Sequence, residues 1–348
     1  MKKLLVVLLI ALTAMTVVFG AGEKENGSAK KDVVRVALIT NPKGISPFIN
    51  EGIAGFERAC AKWGIEGKLV ECKGTAEYEE NARAAANEGY DLILGGSWEA
   101  GSILSELAEI YDDIKFGIID TLTDSSKVKC VQYFEGEGAY IIGVLAALTV
   151  DGESHNYGCV NVSEGPGSFK WRYGFARGVQ AIDPEAKFIF NYVYGYSEVN
   201  LAYEISLQQY ELGCKFINGC AAGGDAGVFK AAKEKRFFTA GQDIDETEAD
   251  NPYIVSSQLK AADVSIEYLI DEFMEGKWSA ENDYLGVAEG AIGAIWVTRD
   301  SEISKRHPNL SDADLEVLRQ VVADLNSGKI DMRNIPEEST VTFPLIGR

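Results

Sequence analysis

An α/β fold of two doubly wound lobes is what this sequence predicts, and three observations predict it. Short apolar runs alternate with amphipathic stretches of helical period along almost the whole chain. The alternation runs through two successive series of similar length. Polar, Gly- and Pro-rich loops recur at the ends of the apolar runs, where parallel α/β sheets hold their ligands.

The first strand–loop–helix unit shows the pattern. Residues 34–39 read as a buried strand, Thr40 to Pro47 as a polar turn and residues 50–62 as a helix with Ile53, Phe56 and Ala59 on one face. A strand at 68–72 follows, then a helix at 78–87 ended by Gly89. A strand at 90–95 closes on the loop Gly96-Ser97-Trp98-Glu99, ahead of a helix at 100–110. Strands at 115–119, ending on Asp120, and at 128–133 precede a helix at 138–150, rich in Ala, Gly and Leu and suited to close packing.

The second series repeats this order. Strands are expected at 157–162, 188–192, 216–218, 237–240 and 253–257, with helices at 169–182, 200–212, 225–233 and 262–274 between and after them. Residues 241–246 form a polar loop at a strand end. Residues 284–295 are Gly-rich with strand segments, and a last helix at 315–327 stops at Gly328.

Ahead of all this, Lys2, Lys3 and the apolar run Leu4 to Leu12 read as a secretory signal over residues 1–20, with cleavage expected between Gly20 and Ala21. Residues 21–32 are polar and linker-like. Ala21 stands where a lipoprotein would carry Cys, so a lipid anchor is not supported. The protein is expected to be exported to the periplasm or cell-envelope exterior, where disulfides are permitted. The six cysteines include no C-x-x-C pair and read mostly as buried small hydrophobes.

At 348 residues the chain has room for two sizeable cores. A net charge of −20 argues against a nucleic-acid partner, which would need a basic face. With only His155 and His307, in separate contexts, histidine-based metal sites and catalysis have few candidates, and no metal or cofactor is expected. There is no nucleophile elbow, no phosphate loop and no H-E-x-x-H pair. What remains is a set of carboxylates at predicted strand ends, Asp120, Asp243 and Asp245, and aromatic rings in predicted loops, Phe48, Trp98 and Tyr196. Carboxylates there accept hydroxyl hydrogen bonds, and loop rings hold a flat heterocycle between their faces. Helix capping and rings folded back on their own lobe are the structural alternatives.

The ordered segments Tyr90-Asp-Leu-Ile-Leu-Gly-Gly, Tyr111 to Asp120, Phe134 to Ala147, Gly174 to Gly178, Gly241 to Asp245, Ser256 to Lys260 and Ser327 to Ile330 resemble the basic membrane protein family of bacterial substrate-binding proteins, which includes spirochaete purine nucleoside receptors. The resemblance implies a type I periplasmic binding protein, with two α/β lobes joined by three crossings near residues 150, 257 and 290. The lobes would be 33–150 with 258–290, and 151–257 with 291–348. It implies a non-catalytic, monomeric receptor that serves an ABC importer and hands its ligand to the permease.

By the same resemblance Phe48 stacks on the base, Asn41 and Asn50 are polar contacts and Trp98 stands where the family often has Phe. Asp120 is a ribose or base contact, Tyr196 the second ring, Asp243 the ribose aspartate and Lys260 the lysine after the second crossing. Asn41 in place of Asp and Trp98 in place of Phe depart from the pattern. They keep riboflavin open as an alternative to a purine nucleoside. A nucleoside hydrolase acting through the carboxylates, and a ligand sensor, are the other classes weighed.

Overall fold

The computed structural model describes residues 33–347. The signal sequence, its cleavage point and the linker fall outside the described residues.

In the first series, β1 (Arg35–Thr40), β2 (Glu66–Glu71), β3 (Leu92–Gly95), β4 (Lys115–Ile119) and β5 (Val128–Tyr133) alternate with α1 (Pro47–Trp63), α2 (Thr75–Asn87) and α3 (Gly101–Ile110). Local chemistry sets these ends. Ser46 caps α1, its hydroxyl accepting from Ile49 N at 3.3 Å, with Pro47 opening the first turn. Gly64, at φ 62°, closes the helix in the left-handed conformation.

The second series runs β6 (Asn156–Asn161), β7 (Lys187–Tyr192), β8 (Phe216–Cys220), β9 (Thr239–Asp243) and β10 (Ile254–Lys260), with α5 (Pro166–Ile182), α6 (Val199–Glu211) and α7 (Asp225–Lys235) between them. The remaining elements are α4 (Glu135–Val150), α8 (Ala262–Met274), β11 (Asp283–Leu285), β12 (Ile292–Ala294) and α9 (Asp312–Asn326). A capping box between Ser311 and Asp314 starts α9.

The first sheet has the order β11-β5-β4-β3-β1-β2 and is parallel throughout. In the second lobe β7-β6-β8 and β12-β10-β9 meet through the parallel bridge Phe216–Phe238 and the Ile217 N to Phe238 O hydrogen bond of 2.9 Å. That gives the order β7-β6-β8-β9-β10-β12, with only β12 antiparallel. The two lobes therefore repeat one topology, in which β4 corresponds to β9 and β5 to β10. Each sheet reverses winding beside its first strand, which opens a crevice at the carboxyl ends.

The crossings differ from the expected positions. The chain leaves the first sheet at Tyr133, and α4 packs on α5, β10, β12 and α9. Residues 135–150, expected in the first lobe, therefore sit with the second. In the matching position α8 leaves β10 at Lys260 and packs on α1 and β4. The two halves exchange the helix after their fifth strand. A helix buried on nearly every side, as α4 is, carries no polar face to say which sheet covers it. The second crossing falls at Lys260 to Ala262 rather than 257, and the third between Leu285 and Ile292, around the expected 290.

Glycine makes the α4–α5 contact possible. A side chain on Gly143 would meet the backbone of Phe175 and Val179, and one on Gly178 the backbone of Tyr140 and Val144. Around this seam Ile141, Ile142, Val144 and Leu145 are fully buried, each contributing about 1.5–3 kcal/mol.

Candidate functional site

Asp120 follows β4 and Asp243 ends β9, the two corresponding strands. Both have left-handed backbone, φ 61° and 69°. Aspartate tolerates this conformation better than most residues, and such conformations concentrate at functional sites. Lys260, the last residue of β10, lies between them and is 8% exposed. Its ammonium donates to Asp120 Oδ2 at 3.0 Å and Oδ1 at 3.2 Å, and stands 3.8 Å from Asp243 Oδ1.

Three rings surround the same ammonium. The centroids of Phe48, Tyr133 and Trp171 are 4.7, 5.5 and 5.8 Å from Lys260 Nζ. Phe48 comes from the first turn of α1 in the first lobe and Trp171 from α5 in the second. Phe48 meets Tyr133 edge-on at 6.4 Å. Glu135, 2% exposed at the start of α4, accepts from Lys170 Nζ at 2.5 Å.

Burial opposes the charge on Lys260, but the carboxylates of Asp120, Asp243 and Glu135 together outweigh it and hold the ammonium above its ordinary value. Burial pushes the Asp243 and Glu135 carboxyls up, although each faces a lysine. Acceptors are left over. Asp243 Oδ1, Gln242 Oε1 and Glu135 Oε2 are buried with no hydrogen-bond partner among the described residues. Unsatisfied buried acceptors are costly, so the arrangement suits a guest that brings hydroxyl or N–H donors.

Of the residues singled out from sequence, the structure brings Phe48, Asp120, Asp243 and Lys260 together. The other five make no contact with Lys260 among the described residues; of these, Asp245 accepts from Thr247 N at 3.0 Å and Thr247 Oγ1 at 2.6 Å. Asn41 accepts from Tyr78 Oη at 2.9 Å and donates to Glu99 Oε1 at 3.2 Å, bracing the loops after β1 and β3. Asn50 Oδ1 accepts from Gly44 N at 2.7 Å and so caps its own turn. Trp98 and Tyr196 follow β3 and β7 at the carboxyl ends of the strands, 69% and 73% exposed. A loop aromatic can reach a crevice only as far as its backbone lets it, and spacing does not encode that.

Sequence reasoning missed Tyr133, Glu135, Lys170 and Trp171. Trp171 precedes Phe175 and Gly178 at helical spacing, which reads as core, and it is indeed 8% exposed. Among the described residues no group of three or more His, Cys, Asp or Glu is placed to hold a metal ion. Five of the six thiols are buried and all six are unpaired.

The described residues contain no helix long and apolar enough to cross a membrane. The structure resembles a solute-binding protein of an ABC transporter system from Aeropyrum pernix, with a TM-score of 0.69 at 21% identity over 86% of this chain and 92% of that one. It is similarly close, at a TM-score of 0.70 and 18% identity over 87% and 100%, to a transcriptional activator of the comK gene from Bacillus halodurans. At these identities the likeness concerns the fold: mixed α/β lobes of the type I periplasmic binding protein kind.

Sequence relatives include an uncharacterized lipoprotein of Pyrococcus abyssi, 25% identical over 91% of this chain and 82% of its own length. Another is the ABC transporter nucleoside-binding protein BmpA of Lactococcus lactis, 22% identical over 80% and 86%. The family model described as ABC transporter substrate-binding protein PnrA-like matches residues 37–333. By that match the chain belongs to the PnrA-like family of ABC transporter substrate-binding proteins.

Proposed function

We propose that this protein captures a purine nucleoside, or a similarly flat heterocycle carrying hydroxyls, outside the cytoplasmic membrane and delivers it to the permease of an ABC importer. The observation that carries the reading is the meeting of Asp120 and Asp243 on Lys260, with Phe48 from one lobe and Trp171 from the other beside the same ammonium. The unpartnered oxygens of Asp243 and Gln242 would accept from a ribose diol, and the rings would cover the base. Each group comes from a different segment, so ligand binding would draw the lobes together and exclude water. The Lactococcus relative is named for nucleoside binding, which supports the same ligand class.

The test is the small molecule released when the purified protein is denatured, read by mass and absorbance, followed by titration of the emptied protein. A nucleoside mass, with Asp243→Ala weakening its binding by about 1–3 kcal/mol, supports the reading. A flavin mass with visible absorbance would replace the nucleoside with riboflavin. Release of free base from added nucleoside would mean a hydrolase and end the receptor reading.

A further inference from the structure

Beside the first crossing, on the Tyr133 and Glu135 side of the lysine cluster, lies a cavity of about 600 Å³ that Asp243 does not line. Four parts of the chain wall it: the end of β5 running into α4, the start of α5, β11, and the segment after α9. It therefore touches both lobes. Phe134 and Tyr284 stack there at 5.3 Å with their planes 27° apart, and Phe169 faces from α5. Arg333 lies 4.5 Å over the Phe134 ring, with its Nε fixed to Glu137 Oε1 at 2.7 Å.

Two polar groups on this wall are unfinished. Gln132 Nε2, a donor, has no partner among the described residues. Glu135 lines the cavity, is 2% exposed, and leaves Oε2 without a hydrogen bond while Oε1 takes Lys170. A buried polar atom left this way costs free energy unless a guest or water completes it. The volume lies within the range of small-molecule sites. Aromatic faces with a separate donor and acceptor fit a planar guest that carries both on one edge.

We infer that this cavity is a second binding site, for a planar heteroaromatic amide, in which the ring lies against Phe134, Phe169 and Tyr284 while its amide edge meets Gln132 and Glu135. The site borders the lysine cluster, sharing Tyr133 and Glu135 with it, but needs neither ribose nor Asp243. Because its walls come from both lobes, an occupant couples to the hinge.

The probe is nicotinamide, which has the ring and the amide but no sugar. Binding is followed by calorimetric titration at millimolar concentration and located by soaking crystals. Nicotinamide is expected to bind the wild type and Asp243→Ala alike. Tyr284→Ala, at a residue 44% exposed, is expected to weaken it about three- to tenfold through the lost stacking face while leaving nucleoside titration unchanged. Gln132→Leu serves as a second variant that keeps the fold and removes the donor. No binding at saturating probe would overturn the inference. So would a probe lost in Asp243→Ala but untouched by Tyr284→Ala and Gln132→Leu, since it would then occupy the lysine cluster. Failure of nucleoside binding alone would bear only on the proposed function.

Discussion

Replacing Lys260 with methionine tests the electrostatic centre directly. The variant keeps most of the side-chain volume and its contact with Phe48, Tyr133 and Trp171, and deletes the charge. Asp120 and Asp243 then face each other without a cation. Removing one partner of a buried ion pair commonly costs about 3–5 kcal/mol. The carboxylate side chains here are 32% and 22% exposed, so water recovers part of that, and the expected loss is about 2–4 kcal/mol near neutral pH.

The pH dependence carries the sign. Burial already pushes the Asp243 carboxyl up, and without the ammonium it rises further above the unfolded value, so the variant's folded state binds protons more readily than the unfolded one. The deficit is full above the folded pKa and shrinks as pH falls through it. Urea denaturation of both proteins at about pH 7.5 and about pH 4.5 measures this, with the larger gap expected at the higher pH. Equal stability at neutral pH, or a deficit identical at both, would refute the assignment of Lys260 as the counter-charge.

Phe48→Ala and Trp171→Ala should each weaken the bound heterocycle by about 0.5–1.5 kcal/mol beyond lost area, read by titration. A Trp171→Ala protein that binds as the parent does would remove the second-lobe ring. Burial pushes Glu246 up to about 7, with its Oε2 on Gln242 N at 3.0 Å. Its folded pKa exceeds the unfolded one, so the wild type loses stability as pH rises from about 4.5 through about 7. Glu246→Gln should flatten that slope, with a gain of at most about 3 kcal/mol above about pH 8 and almost none at about pH 4 and below, measured by denaturant midpoints. Gly178→Ala places a methyl against the backbone of Tyr140 and Val144 and should cost about 1–3 kcal/mol or more, seen as a lower Tm. An unchanged Tm would mean that α4 and α5 separate freely.

Much of this molecule was legible in its residues one segment at a time. Apolar period and turn chemistry located the helix at Ala262–Met274 and the strands at Lys115–Ile119 and Val128–Tyr133, because those signals lie within each segment. The ordered motifs pointed to the family, to Asp120 and Asp243 at strand ends and to Lys260 after the second crossing. What only the tertiary structure decided is which of these groups meet. The exchange of α4 and α8 between lobes sets the first crossing at Tyr133, and it brings Tyr133 and Lys260, ends of equivalent strands, to one point. Trp171 lies on a helix whose period reads as core, and its ring faces Lys260 because α5 packs against the exchanged α4. Periodicity reports which face of an element is buried. It carries no information about the partner across that face, and a cleft between lobes is made of such partners.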